Sequence, residues 1–233
     1  MISSQKDFDH LEEKLGLTFN NKDLLRQALV HRSYLNEHPK FGLDNNERLE
    51  FLGDAVLELV VTEYLFQQYP NPEGDLTNWR ASLVNAKMLA EIARTLDLDH
   101  YLYLSRGEQK EKKSKARMFI LADAFEALIG SIYLDLGWDV ARDFLVKHLV
   151  HHLKGILENH LDQDPKSRFQ EASQDRTGVT PSYRVLHESG PDHARKFRIG
   201  IYIGEELVAE GEGTSKQEAQ VRAAEKALEV KGW

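Results

Sequence analysis

The 233-residue chain contains no cysteine. Disulfides, thiol nucleophiles and thiolate metal sites are therefore excluded together, which suits a reducing cytosol. No long apolar run is present either. The longest nearly uncharged stretch, Met118 to Leu134, is short for a membrane span and carries Asp123 and Glu126. Lys6, Asp7 and Asp9 interrupt the first ten residues, so no signal-peptide apolar region starts the chain. The expected setting is cytoplasmic, away from membranes. Internal repeats, low-complexity tracts, a Gly-rich phosphate loop and a Ser-His-Asp arrangement are also missing.

Basic excess is lacking as well. The formal net charge of −8 argues, taken whole, against a polyanionic partner. Its distribution reverses that inference. The first 162 residues hold 19 Lys and Arg against 26 Asp and Glu, whereas the remainder holds 11 against 12. The acidity belongs to one part of the chain.

With 41% apolar and 29% charged residues, the composition is that of a globular protein, and the length favours two domains. Helical periodicity runs through Leu24–Val30, Leu49–Phe66, Leu83–Leu96, Met118–Leu134 and Val140–Leu157, with no alternating strand pattern among them. Polar residues replace it at Glu158–Pro165, where Asp164-Pro165 offers a helix N-cap and a first-turn proline. A helix from Pro165 to about Gln174 is expected next. Strands are expected at Tyr183–His187, Phe197–Ile203 and Leu207–Glu212, the second marked by alternation. Ser215 and Glu218 form a capping box before an Ala-rich helix to Val230. The fold class expected is multidomain: an all-α domain over residues 1–160, then an α-β-β-β-α domain over 163–233.

The strongest chemical signal is Glu47-Arg48-Leu49-Glu50-Phe51-Leu52-Gly53-Asp54. At about 100° per residue, Glu47, Glu50, Asp54 and Glu58 share one helix stripe. Like charges so close repel, and unless the stripe is solvated something cationic should face it. Asp123 and Glu126, three apart, interrupt a segment (Phe119–Ile129) that is otherwise apolar on every side. Burying them bare costs several kcal/mol without a metal or cationic partner. Two arrangements satisfy this. Either Lys or Arg from elsewhere pairs with these acids, or Glu50, Asp54, Asp123 and Glu126 face one another as an all-oxygen site suited to Mg²⁺ or Mn²⁺.

These segments resemble the ribonuclease III family. Glu47 to Asp54 is similar to its signature, and Leu121-Ala122-Asp123-Ala124-Phe125-Glu126-Ala127-Leu128-Ile129-Gly130 to its second acidic helix. Ala28-Leu29-Val30-His31-Arg32-Ser33-Tyr34, Glu73-Gly74-Asp75-Leu76 and Leu83-Val84-Asn85 also resemble family stretches. The resemblance implies an endonuclease that hydrolyses double-stranded RNA with metal-activated water, leaving 5′-phosphate and 3′-hydroxyl ends with short 3′ overhangs, in rRNA and other RNA processing. By it, Glu50, Asp54, Asp123 and Glu126 hold the metal, Asp54 and Glu126 matter most to the chemistry, and Glu47 is auxiliary. Phe51 would be an apolar knob entering the second subunit of a homodimer.

The α-β-β-β-α tail resembles a double-stranded-RNA-binding domain, which reads A-form shape. That likeness implies RNA contacts from Ser167, Gln170, Glu171 and Gln174 on its first helix. It implies others from His193 in the loop Gly190–His193 and from Lys216 at the last helix's N-terminus. Two features depart from the family. The segment Lys110 to Arg117 carries five basic residues where relatives often have glycines, and could track phosphates. Gln217 replaces a usual second lysine, for which Arg222 and Lys226 could compensate. A catalytically silent RNA-binding dimer and a small-nucleotide phosphohydrolase remain alternatives at this level. His148, His151 and His152 are read as a surface cluster.

Overall fold

In the computed structural model, residues 6–111, 114–158, 164–191 and 195–233 are described. The chain divides into two compact units, Met1–Asn159 and His160–Trp233. No helix among the described residues is long and apolar enough to cross a membrane.

The first unit is helical: α1 (Phe8–Leu15), α2 (Lys22–Ala28), α3 (Arg32–Glu37), α4 (Glu47–Gln68), α5 (Glu73–Leu83), α6 (Ala86–Thr95), α7 (Leu98–Tyr101), α8 (Arg106–Lys110), α9 (Lys115–Leu136), α10 (Trp138–Leu145) and α11 (His152–Glu158). Local chemistry sets many of the ends. Asp7, Asn21, Asn85, Ser105 and Ser114 each accept a hydrogen bond from a first-turn N–H, and Gly16 closes α1 in the left-handed region.

Two expected helices are broken. The periodic run Leu83–Leu96 is interrupted because the Asn85 side chain accepts from the Met88 N–H at 3.1 Å, which starts α6 anew. The run Val140–Leu157 is divided by a π-helical stretch, Val146–Val150, between α10 and α11. Apolar spacing survives both breaks because the same core is served on either side.

Helix α9 is the axis of this unit. Ile120, Leu121, Ala122, Ala124, Phe125, Ala127, Leu128, Ile129 and Ile132 are all buried, as expected of a helix apolar on every side. Helix α4 lies against it at unusually short range. A Cβ on Gly53 would sit 1.7 Å from the Glu126 carbonyl oxygen, and one on Gly130 would sit 2.2 Å from the Leu49 carbonyl oxygen. Only glycine at both positions lets the two backbones meet.

The second unit runs α12 (Pro165–Thr177), β1 (Ser182–Ser189), β2 (Lys196–Ile203), β3 (Glu206–Gly213) and α13 (Lys216–Lys231). The sheet is antiparallel in the order β1-β2-β3, with Ile199 opposite Val185 and Gly211. Phe197, Ile199 and Ile201 face inward, and Phe169 of α12 with Ala223, Ala224 and Ala227 of α13 completes the core. Asp164 caps α12 through the Ser167 N–H, with Pro165 in the first turn. Ser215 caps α13, but the Glu218 carboxylate reaches back to the Thr214 N–H rather than to that of Ser215.

Candidate metal centre and RNA-facing surfaces

The start of α4 is set by two asparagines. Asn46 is buried; its backbone N–H donates to the Val30 carbonyl at 2.9 Å and its Nδ2 to the Ala28 carbonyl at 3.3 Å, while Asn45 Oδ1 accepts from the Glu47 N–H. From this anchor the acidic stripe runs along α4 toward the Gly53 contact with α9. The close backbone approach then brings Glu50 to Asp123 and Glu126. One carboxylate oxygen from each of these three lies within 4.8 Å of the other two. Among the described residues, no other group of three His, Asp or Glu side chains is so disposed, which includes the three histidines near the end of the unit.

The cationic partners demanded by the stripe exist, but only at its ends. Arg32 pairs with Glu47 at 3.3 Å and Arg80 with Glu58 at 3.4 Å, Arg80 also donating to the Thr62 hydroxyl. Among the described residues, no Lys, Arg or His pairs with Glu50, Asp54, Asp123 or Glu126 within 4 Å. The alternative of Asp123 and Glu126 paired to distant cations is thereby removed. Sequence reading missed Arg32 and Arg80 as partners because 15 and 22 positions separate them from the acids they meet, beyond any helical spacing.

Electrostatics carry the mark of an uncompensated cluster. Burial, then the charges of Asp54, Asp123 and Glu50, pushes the Glu126 carboxyl up to about 8. Burial, then Asp123, Glu47 and Asp54, raises Glu50, and burial raises Asp123. Asp54 stands apart. It is exposed on α4, outside the three-carboxylate group, yet its charge bears on Glu126 more than that of Asp123 or Glu50. An all-oxygen donor set with no internal counter-ion is what a hard divalent cation requires, so the residues present fit such an ion.

Phe51 is 82% exposed on α4, which no core role explains. Leu59 and Phe66 continue an apolar strip along the same helix. In the second unit, Ser167, Gln170, Glu171 and Gln174 are all exposed on α12. Ser167 already donates to Asp164, and Gln174 accepts from Thr180, so the helix end is tied down before any ligand arrives. Lys216 is exposed at the start of α13, its Nζ 5.7 Å from the centre of the Phe197 ring, with Gln217 exposed beside it. His193 lies outside the described residues.

Two expectations are corrected. Arg222 is not free to replace the missing lysine: it pairs with Glu218 at 2.7 Å and donates to the Glu212 carbonyl. Nor is Arg117 a solvated residue of the basic loop. It is buried in the first turn of α9, its Nε donating to Asp99 at 2.7 Å.

Known proteins agree with this architecture. The family profile described as Ribonuclease-III-like matches residues 21–153, and that of the Double-stranded RNA binding motif matches 165–231. A protein named Ribonuclease 3 from Pelotomaculum thermopropionicum is 44% identical over 98% of this chain and 95% of its own length. One of the same name from Chloroflexus aggregans is 47% identical over 94% and 95%. The crystallised nuclease domain of ribonuclease III from Campylobacter jejuni, described for flexibility in a region involved in dimer formation, is 42% identical. It superposes with a TM-score of 0.53 over 60% of this chain and 94% of that domain. The chain belongs to the ribonuclease III family.

Proposed function

We propose that Glu50, Asp54, Asp123 and Glu126 form the centre at which this endoribonuclease cuts double-stranded RNA, with Mg²⁺ as the bound ion and Mn²⁺ as a substitute. The observation that carries the reading is the meeting of three carboxylates from α4 and α9 with no cation among the described residues to balance them. When bound, the ion supplies a more acidic water and a counter-charge for the departing oxygen. Glu50, Asp54, Asp123 and Glu126 would hold it, with Glu50, Asp123 and Glu126 already within reach of one another. Without the ion, burial and the neighbouring carboxylates hold the Glu126 carboxyl up at about 8, so taking up the ion would release its proton. Asp54, the exposed member, is open to groups arriving from solvent, and Glu47, held by Arg32, is auxiliary.

Residues 1–160 serve on this reading as catalytic and dimerisation domain, with Phe51 entering a second copy. Residues 163–233 bind duplex RNA through Ser167, Gln170, Glu171, Gln174, His193 and Lys216. Products carry 5′-phosphate and 3′-hydroxyl ends with short 3′ overhangs, and the setting is RNA processing, including rRNA, in the cytoplasm. The deciding experiment incubates long duplex RNA with the protein, with and without Mg²⁺, beside single-stranded RNA and duplex DNA. Metal-dependent cutting confined to duplex RNA is expected. Duplex binding without cutting would leave a silent binding protein, and hydrolysis of mononucleotides instead would leave a small-substrate enzyme.

A further inference from the structure

A second polar site lies in the nuclease unit, away from the carboxylates. A cavity of about 420 Å³ is lined by Lys6, Asp97, Asp99, His100, Leu102, Leu104, Gln109 and Arg117. This is within the roughly 300–1,000 Å³ range of small-molecule sites. We propose that it binds a phosphate-class oxyanion between Lys6 and Arg117.

Arg117 forms part of the cavity wall. The side chain is only 3% exposed, and Nε donates to Asp99 at 2.7 Å, yet Nη1 is buried with no hydrogen-bond acceptor among the described residues. A guanidinium has five N–H donors in a fixed fork, and leaving part of that fork unmet in the interior costs free energy that an acceptor would recover. Asp99 holds the fork in place, and Nη1 is the enclosed end that lacks a partner among the described residues. Lys6 supplies the second cation. Its Nζ donates to the Leu102 carbonyl at 2.6 Å and the His100 carbonyl at 3.2 Å and lies 4.5 Å from the centre of the Tyr103 ring, the weaker contact that an anion's oxygen would have to displace.

Charge and geometry select the ligand. Lys14 pairs with Asp97 at 3.1 Å, which removes one of the two lining acids from the balance. Among the described residues that line it, Lys6 and Arg117 then face Asp99, which leaves one surplus positive charge there in a chain whose net charge is −8. Mutual repulsion is present: burial first, then Arg117, holds the Lys6 ammonium down at about 8. A monoanion or dianion with several acceptor oxygens relieves that repulsion and meets the open donors at once, which is the chemistry of phosphate. The site shares no residue with the carboxylate centre and does not depend on the reading given to it.

The test titrates inorganic phosphate into the full chain by calorimetry, in chelator without divalent metal and at constant ionic strength. A saturable component is expected that Lys6→Met weakens at least tenfold, with circular dichroism in phosphate-free buffer showing the fold retained. Arg117→Lys, which keeps the charge and loses the fork, should weaken it likewise; if that variant does not fold, Lys6→Met alone carries the test. Superimposable isotherms for wild type and Lys6→Met, or no saturable binding, would overturn the proposal. A competition arm adds duplex RNA. Displacement of the Lys6-dependent component identifies an RNA phosphate as the natural source, and its persistence identifies a free anion.

Discussion

Gly53 on α4 and Glu126 on α9 are in backbone contact: a Cβ on the glycine would lie 1.7 Å from the Glu126 carbonyl oxygen. The contact sits between Glu50 and Asp54 in sequence and directly under one of the carboxylates they are to join. The spacing of the acidic cluster is thus decided by a residue with no side chain, and the reciprocal contact of Gly130 with Leu49 holds the two antiparallel helices at that spacing.

Gly53→Ala should therefore damage the site and the fold together. The methyl group must push two well-packed helices apart, an overpacking worth about 3 kcal/mol or more and a melting temperature lower by roughly 6–12 °C. Thermal denaturation and a cleavage assay check this. A variant of wild-type stability and activity would mean that the helices separate at no cost.

Glu126→Gln should abolish cleavage of duplex RNA while leaving RNA binding within about twofold of wild type. One anionic donor is lost from the centre, but α12 and Lys216 are untouched. Gel-shift and cleavage assays on the same preparation separate the two activities. Joint loss in a folded protein would contradict the division of labour between the units.

The metal-free protein should lose stability as pH rises. The Glu126 carboxyl stands near 8 in the folded chain against an ordinary value of about 4.5, so the folded state holds the extra proton between those limits. The stability it contributes is full below about pH 4.5 and is lost as pH climbs through 8. Melting curves in chelator from pH 5 to 8.5 should fall in Tm across that window, and Glu126→Gln should flatten the fall. Adding Mg²⁺ should raise Tm most at the alkaline end, because only the ionised carboxylate is a ligand. An unchanged slope in the variant would remove Glu126 as its source.

A mixed dimer of one intact subunit and one carrying Glu126→Gln should nick one strand of a defined duplex. Two-fold symmetry repeats the centre once per subunit, and the antiparallel strands of the duplex present one scissile phosphate to each. Two affinity tags isolate the heterodimer, and end-labelling each strand reads the products. Double-strand breaks at the normal rate would mean that one centre serves both strands; complete inactivity would mean that catalysis needs both.

Sequence alone determined the elements whose cause is local. The stripe of Glu47, Glu50, Asp54 and Glu58 follows from helical spacing, the partial burial of Asp123 and Glu126 from the apolar residues around them, and β2 from strict alternation. The caps at Asp164 and Ser215 are likewise written in two or three adjacent residues. Tertiary structure decided whatever depends on partners distant along the chain. Spacing could not tell whether Glu50 and Glu126 share a metal or each take an arginine, because Arg32 and Arg80 reach Glu47 and Glu58 only once α4 has packed. It could not separate exposed Asp54 from its three half-buried neighbours, nor remove Arg117 from the basic loop and bury it against Asp99. Helical period assigns a residue to a face; which charges meet across that face is fixed by long-range packing, and here by the absence of two Cβ atoms.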